Sequence, residues 1–173
     1  MKRPIPDRVK PGQESVWDYP RPPRLERQRA RITITFGGVE ILDTDDVLRV
    51  LETSHPPVYY LPEDAFETGC LVPASGSSMC EWKGAAHYFD VVAPAAGSSA
   101  TQSGVAPRAA WGYARPMPGF ELLRRRVAVY PQYMDRCTVD GETAVPQPGE
   151  FYGGWITSGI VGPFKGIPGS HSW

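Results

Sequence analysis

The chain has little of what marks membrane, secreted and nucleotide-binding proteins. No apolar run approaches the roughly 20 residues that cross a bilayer, so no membrane partner is expected. The start, Met1-Lys2-Arg3-Pro4-Ile5-Pro6, is basic but has no apolar stretch behind it, unlike a secretory leader, and a cytoplasmic protein is the expectation. Cysteine is scarce. Cys70, Cys80 and Cys137 are odd in number and no CxxC occurs, which argues against a disulfide framework and a four-thiolate zinc site. Charge of one sign is lacking too. A formal net charge of -1 argues against a broad grip on nucleic acid. There is no GxGxxG, P-loop or GxSxG, and no internal repeat. No metal and no cofactor are expected.

Glycine (18), proline (19), tryptophan (5) and tyrosine (8) are plentiful. That mixture reads as short strands joined by tight turns, a mostly β protein. A hydrophobic share of 41% over 173 residues suits one domain with one core. The expected organisation is a proline-rich arm over 1–30, packed on a body over 31–166, with a frayed tail over 167–173. In the arm, Trp17 and Tyr19 are two apart and point the same way along an extended chain. They serve either a lid over a pocket or a latch onto the body.

Arg31–Phe36 alternates cleanly and predicts a strand, turned by Gly37-Gly38 into a second one, Val39–Leu42. Asp43-Thr44-Asp45-Asp46 offers capping oxygens, and Val47, Val50 and Leu51 share a helical face, which predicts one short helix over 45–52. Cys70–Val72, Met79–Lys83 and His87–Val92 read as strands, with 73–78 as a loop. Pro94–Pro107 reads as a flexible insertion. Trp111 and Tyr113 share a face of a strand over 109–114. Arg124-Arg125-Arg126 reads as an anion site or a solvated edge. Asp140-Gly141 marks the clearest hairpin, because it supplies the positive φ of a type I′ turn.

The chemistry concentrates in two stretches. Glu52–Pro62 sets a carboxylate, hydroxyls, an imidazole and two phenols around a rigid Pro56-Pro57 corner, and Cys80–Gly84 is its expected spatial partner. Glu52 at a helix C-terminus needs a cation, with His55 and Arg49 in local reach and Lys83 through space. Glu52 and His55 then form an acid/base couple or a latch.

The motifs Trp17–Pro23, Glu52–Tyr60, Cys80–Gly84, Val139–Glu142 and Pro146–Trp155 resemble the domain-of-unknown-function family four-two-seven, sometimes labelled a nucleotidyltransferase. The likeness runs from about residue 14 to about residue 166. It implies a β-tent of short antiparallel strands, the fold of methionine sulfoxide reductase B and Mss4-like zinc proteins and of the thalidomide-binding domain of cereblon. The paired CxxC zinc knuckles of most tents are absent here, as are a reductase motif around the cysteines and the Gly-Ser with paired aspartates of transferases.

Two functions are expected from these residues. In the first, the protein binds a small molecule. Trp82, Trp111 and Trp155 form a cage for a flat ring, a nucleoside-like compound or a cation. Glu52, Ser54, His55 and Tyr60 orient it, with Tyr59, Glu81, Tyr113 and Tyr152 around it. In the second, the protein is an enzyme. Cys80 is a nucleophile with His55 as base and Glu52 as orienter, or His55 and Glu52 do acid/base work while Lys83 holds an anionic substrate. An interaction role for the arm, and a homodimer through strand edges, remain open alternatives.

Overall fold

The computed structural model describes residues 4–94 and 104–173. Its body is built from strands and short turns. β1 (Glu14–Ser15), β2 (Arg24–Gln28), β3 (Ile32–Phe36), β4 (Val39–Thr44), β5 (Val47–Leu51) and β6 (Val58–Pro62) come first. β7 (Leu71–Cys80), β8 (Gly84–Val92), β9 (Val105–Gly112), β10 (Arg126–Val129) and β11 (Arg136–Val139) follow. Short pieces close the chain: β12 (Glu142–Thr143), β13 (Val145–Pro146), β14 (Trp155–Ile156) and β15 (Ile160–Val161).

A seven-stranded antiparallel sheet runs β2-β5-β6-β10-β9-β8-β7, and a four-stranded one runs β12-β11-β3-β4. The protein is thus mostly β, an open tent-like arrangement of antiparallel sheets. The main core lies between the two sheets, where Ile32 and Ile34 of β3 meet Leu61, Val91 and Val127 of the larger one. The larger sheet's other face carries a second cluster around Tyr60, Trp111 and Tyr113. Strand alternation divides the two faces, so Tyr59 points into the core and its neighbour Tyr60 away from it.

The expected hairpins form. Gly37 and Gly38 take positive φ between β3 and β4, and Asp140 and Gly141 do so between β11 and β12. The expected helix over 45–52 does not. Val47–Leu51 is a central strand, paired to β2 on one side and β6 on the other. All five of its residues are buried, because both faces of the sheet are covered there. An apolar run with two β-branched valines, interrupted by the paired Arg49, suits such a strand. The capping argument fails with the helix. Asp46 instead pairs with Arg126 (2.7 Å) and Arg27 (3.2 Å). Arg126, from the basic triplet, is therefore a staple between strands.

The expected loop over 73–78 is also a strand. β7 runs unbroken through it, with a bulge between Ala74 and Ser77. Gly76 carries the bulge at φ +91°, and Arg108 crosses it to donate to the Ser75 carbonyl (3.0 Å). Residues 81–83 form the turn into β8, so the strand expected over 79–83 ends at Cys80. The expected insertion over 94–107 lies largely outside the described residues, and its end belongs to β9.

The arm is latched rather than raised. Trp17 and Tyr19 are buried with Val16, Leu51 and Ile160. Residues 167–173, read above as frayed, make defined contacts. The Trp173 ring lies 5.6 Å from Trp17, and Ser170 is buried.

Candidate functional site

The Glu52–Pro57 corner follows β5 and is fixed by the arm. The Thr53 hydroxyl donates to the Tyr19 carbonyl (2.6 Å), and the Ser54 amide donates to the Val16 carbonyl (3.0 Å). Ser54 takes φ +70° to make the bend. Arg21 from the arm pairs with Glu52 at 3.2 Å. Arg49, one of the three cations expected near Glu52, faces Glu14 and Glu26 instead, because position 49 lies on a strand.

This corner and the Cys80–Lys83 turn line one cavity of about 470 Å³. Its aromatic floor comes from Tyr60 on β6, Trp111 on β9 and Tyr113 just past the end of β9, on the outer side of the large sheet. Tyr60, Trp111 and Tyr113 are buried there, with Trp111 and Tyr113 each 6.3 Å from Tyr60 between ring centroids. Tyr130 extends the floor, 4.4 Å from Trp111. Of the residues singled out from sequence, Glu52, His55, Tyr60, Cys80, Glu81, Trp82, Lys83, Trp111, Tyr113 and Tyr152 line this cavity.

Three do not. Tyr59 falls on the core side by strand parity. Trp155 is fully buried against it at 5.2 Å, its indole N–H donating to the Val129 carbonyl (3.2 Å). Ser54 is buried at the bend, and its hydroxyl makes no hydrogen bond among the described residues.

The segment over 147–153 and Lys165 complete the wall, and most of this was not singled out from sequence. Gly153 is required where it stands, because a Cβ there would run into the Trp111 indole. Gln147 is buried; its amide donates to the Lys165 carbonyl (2.9 Å), and its oxygen accepts from the Gly154 amide (3.2 Å). Long-range pairing of this kind leaves no local pattern. The Glu150–Trp155 aromatic and glycine run was its only sequence signal.

Burial favours the neutral forms of the imidazole and of the floor's phenols. Burial pushes the His55 pKa below its ordinary 6.5, with Lys165 and Arg21 adding to this and Glu52 opposing it. His55 Nδ1 lies 3.0 Å from the Thr53 carbonyl, so Nδ1 carries the hydrogen and Nε2 keeps its lone pair. The ring meets Tyr152 edge-on at 5.1 Å. Burial pushes the Tyr60 and Tyr113 hydroxyls up, and Tyr130 up to about 12, so all three stay protonated near neutral pH. Lys165 is pushed down by burial and by Arg21. It donates to the Trp173 carbonyl (2.7 Å). Among the described residues no hydrogen bond joins His55 to Cys80.

A depressed His55 pKa has a consequence for stability. Just below pH 6.5 the unfolded chain takes up a proton that the folded ring refuses, so stability falls as pH drops from 6.5 towards the folded value. In NMR titrations the His55 ring signal should move with a midpoint below 6.5, and His55→Gln should flatten the stability profile in that window. A midpoint at or above 6.5 would contradict the buried, neutral assignment.

A family model described as "Domain of unknown function (DUF427)" matches residues 24–140. The match takes in every strand of the seven-stranded sheet and both polar stretches of the cavity, and stops before the 147–153 wall. No curated protein matches the chain. Among the described residues no helix is long and apolar enough to cross a membrane.

Proposed function

The chain belongs to the DUF427 family, a domain of unknown function, and from that premise we propose that it is a small-molecule binding protein whose cavity takes a flat ring. The observation that carries this reading is the convergence of Glu52–Tyr60 and Cys80–Lys83 on one space floored by Tyr60, Trp111 and Tyr113. A volume of about 470 Å³ is in the range that holds a drug-sized ligand. Walls with eight Phe, Trp and Tyr side chains beside a few fixed polar groups suit a planar molecule better than a flexible chain.

The polar groups narrow the choice. Nε2 of His55 accepts an N–H or O–H from the ring's edge, as a nucleoside or cyclic imide offers. A cationic ligand fits poorly, because Lys83 already lies over Tyr113, 5.9 Å from the ring centroid, and Lys165 also lines the space. The three unpaired thiols accord with a reducing compartment such as the cytoplasm.

A thermal-shift screen tests the reading. Nucleosides or cyclic imides should raise the melting temperature, and quaternary amines should not. Tyr152→Ala should weaken binding about tenfold, the scale of one lost stacking partner. No response to any planar compound would defeat the proposal. The free lone pair on His55 Nε2 favours a second reading, general-base chemistry on the bound ring. Ligand recovered chemically changed from the native protein, but unchanged from His55→Gln, would decide for it.

A further inference from the structure

We infer that the ring this cavity takes carries an anionic group, and that Lys83 is the residue that meets it. The inference rests on the binding reading above and names the ligand class.

Lys83 sits in the turn between β7 and β8, half-buried at the cavity wall. Its backbone is pinned from outside, the Lys83 carbonyl accepting from the Met117 amide (3.1 Å). The next residue, Gly84, takes φ +100°, and a Cβ there would press on Arg115 and Met117 at 3.3 Å. The ammonium is therefore presented from a fixed backbone over the Tyr113 ring.

Each other charged group of the cavity is accounted for. Glu52 is held by Arg21 at 3.2 Å, and Lys165 donates to the Trp173 carbonyl at 2.7 Å. Glu81 is exposed, so water screens its charge. Lys83 is the half-buried one of these groups that has neither an ion pair nor a hydrogen bond among the described residues. A neutral ligand covering it would strip water from an ammonium and give nothing back. An anionic group replaces the lost water with a charge-assisted hydrogen bond. A carboxylate and a phosphate monoester offer the same chemistry at this point.

Paired probes separate the possibilities. Calorimetric titration near neutral pH would compare benzoate with benzamide, and adenosine 5′-monophosphate with adenosine. In at least one pair the acid should bind about tenfold more tightly than its neutral partner, and the preference should shrink at high salt. The pair with the larger preference identifies carboxylate or phosphate. Lys83→Met should bring the acid-to-neutral ratio close to one, and Lys83→Arg should keep it well above one. Acid and neutral rings binding the native protein equally would overturn the inference while leaving the ring-binding reading intact. A preference that survives Lys83→Met would also overturn it. Failure of all four compounds to bind would overturn the inference, and silence in the thermal-shift screen as well would remove the ring-binding reading.

Discussion

Replacing Gly166 by alanine should destabilise the protein by about 3 kcal/mol or more and take the cavity wall apart. Gly166 stands at φ +113°, a region that residues with a Cβ rarely adopt. A Cβ there would overlap the Pro148 carbonyl oxygen and lie 2.6 Å from the carbonyl carbon. Both are backbone atoms, so no side chain can swing away. The approach is close because both segments are tied together around it. Gln147 donates to the Lys165 carbonyl (2.9 Å), the Lys165 amide donates to Ser54 (2.8 Å), and the Gly166 amide donates to the Ser170 hydroxyl (2.9 Å). Forcing residues 148 and 166 apart displaces Lys165 on one side and the Phe151–Gly153 stretch on the other, and all of these line the cavity. At about 2–4 °C per kcal/mol for a chain of this size, the melting temperature should fall by roughly 6–12 °C. Circular-dichroism melts would check this. A variant melting with the native protein would mean that 148 and 166 are not in close contact.

Arg49→Leu should cost about 3 kcal/mol, and the deficit should depend on pH in a defined way. Arg49 is buried in the central strand β5 and reaches two carboxylates. Its guanidinium meets Glu26 at 2.8 and 2.6 Å and Glu14 at 3.1 and 3.0 Å. Glu26 is its cross-strand neighbour on β2, while Glu14 belongs to the arm and also accepts from the Tyr19 hydroxyl (2.7 Å). One guanidinium thus ties the arm to the sheet. Leucine would fill much of the space and leave two carboxylates facing each other. Burial raises the Glu14 pKa, but the hydrogen bonds from Arg49 and Tyr19 outweigh it and hold the carboxyl below its ordinary 4.5. The stabilisation this carries is complete above pH 4.5 and is lost as pH falls through the folded value. The gap between native and variant proteins should therefore be widest near neutral pH and narrow below 4.5. Urea unfolding at several pH values measures it. A gap that is constant with pH would assign the loss to packing alone.

Much of the fold is legible in the sequence where a local rule suffices. The alternation in Ile32–Phe36 and the Gly37-Gly38 and Asp140-Gly141 turns each determine their element with little help from the rest of the chain. Val47–Leu51 misleads because apolar residues at 47, 50 and 51 satisfy a helical spacing as well as a strand buried on both faces. Only the neighbours β2 and β6 decide between them. Residues 73–78 mislead in the same way, since a proline, a glycine and three serines spell a loop until Arg108 crosses them.

The cavity was legible to a similar degree. Chemistry-bearing residue types crowd two short stretches, and the fold brings those stretches together. Tyr59 and Trp155 were misplaced because parity along a strand cannot be oriented without knowing which face is covered. Lys165 and Gln147 were missed because they reach the wall through tertiary contacts that leave no periodic trace.

The most direct measurement follows the tryptophan indole N–H signals by NMR as a planar compound from the screen is titrated in. The signals of Trp82 and Trp111 should move together and saturate. Those of Trp155, bonded to the Val129 carbonyl in the core, and Trp17, bonded to the Pro163 carbonyl (2.9 Å) under the arm, should stay in place. Movement confined to Trp17 and Trp173, or saturation with Trp82 and Trp111 unmoved, would place the ligand elsewhere and contradict the account.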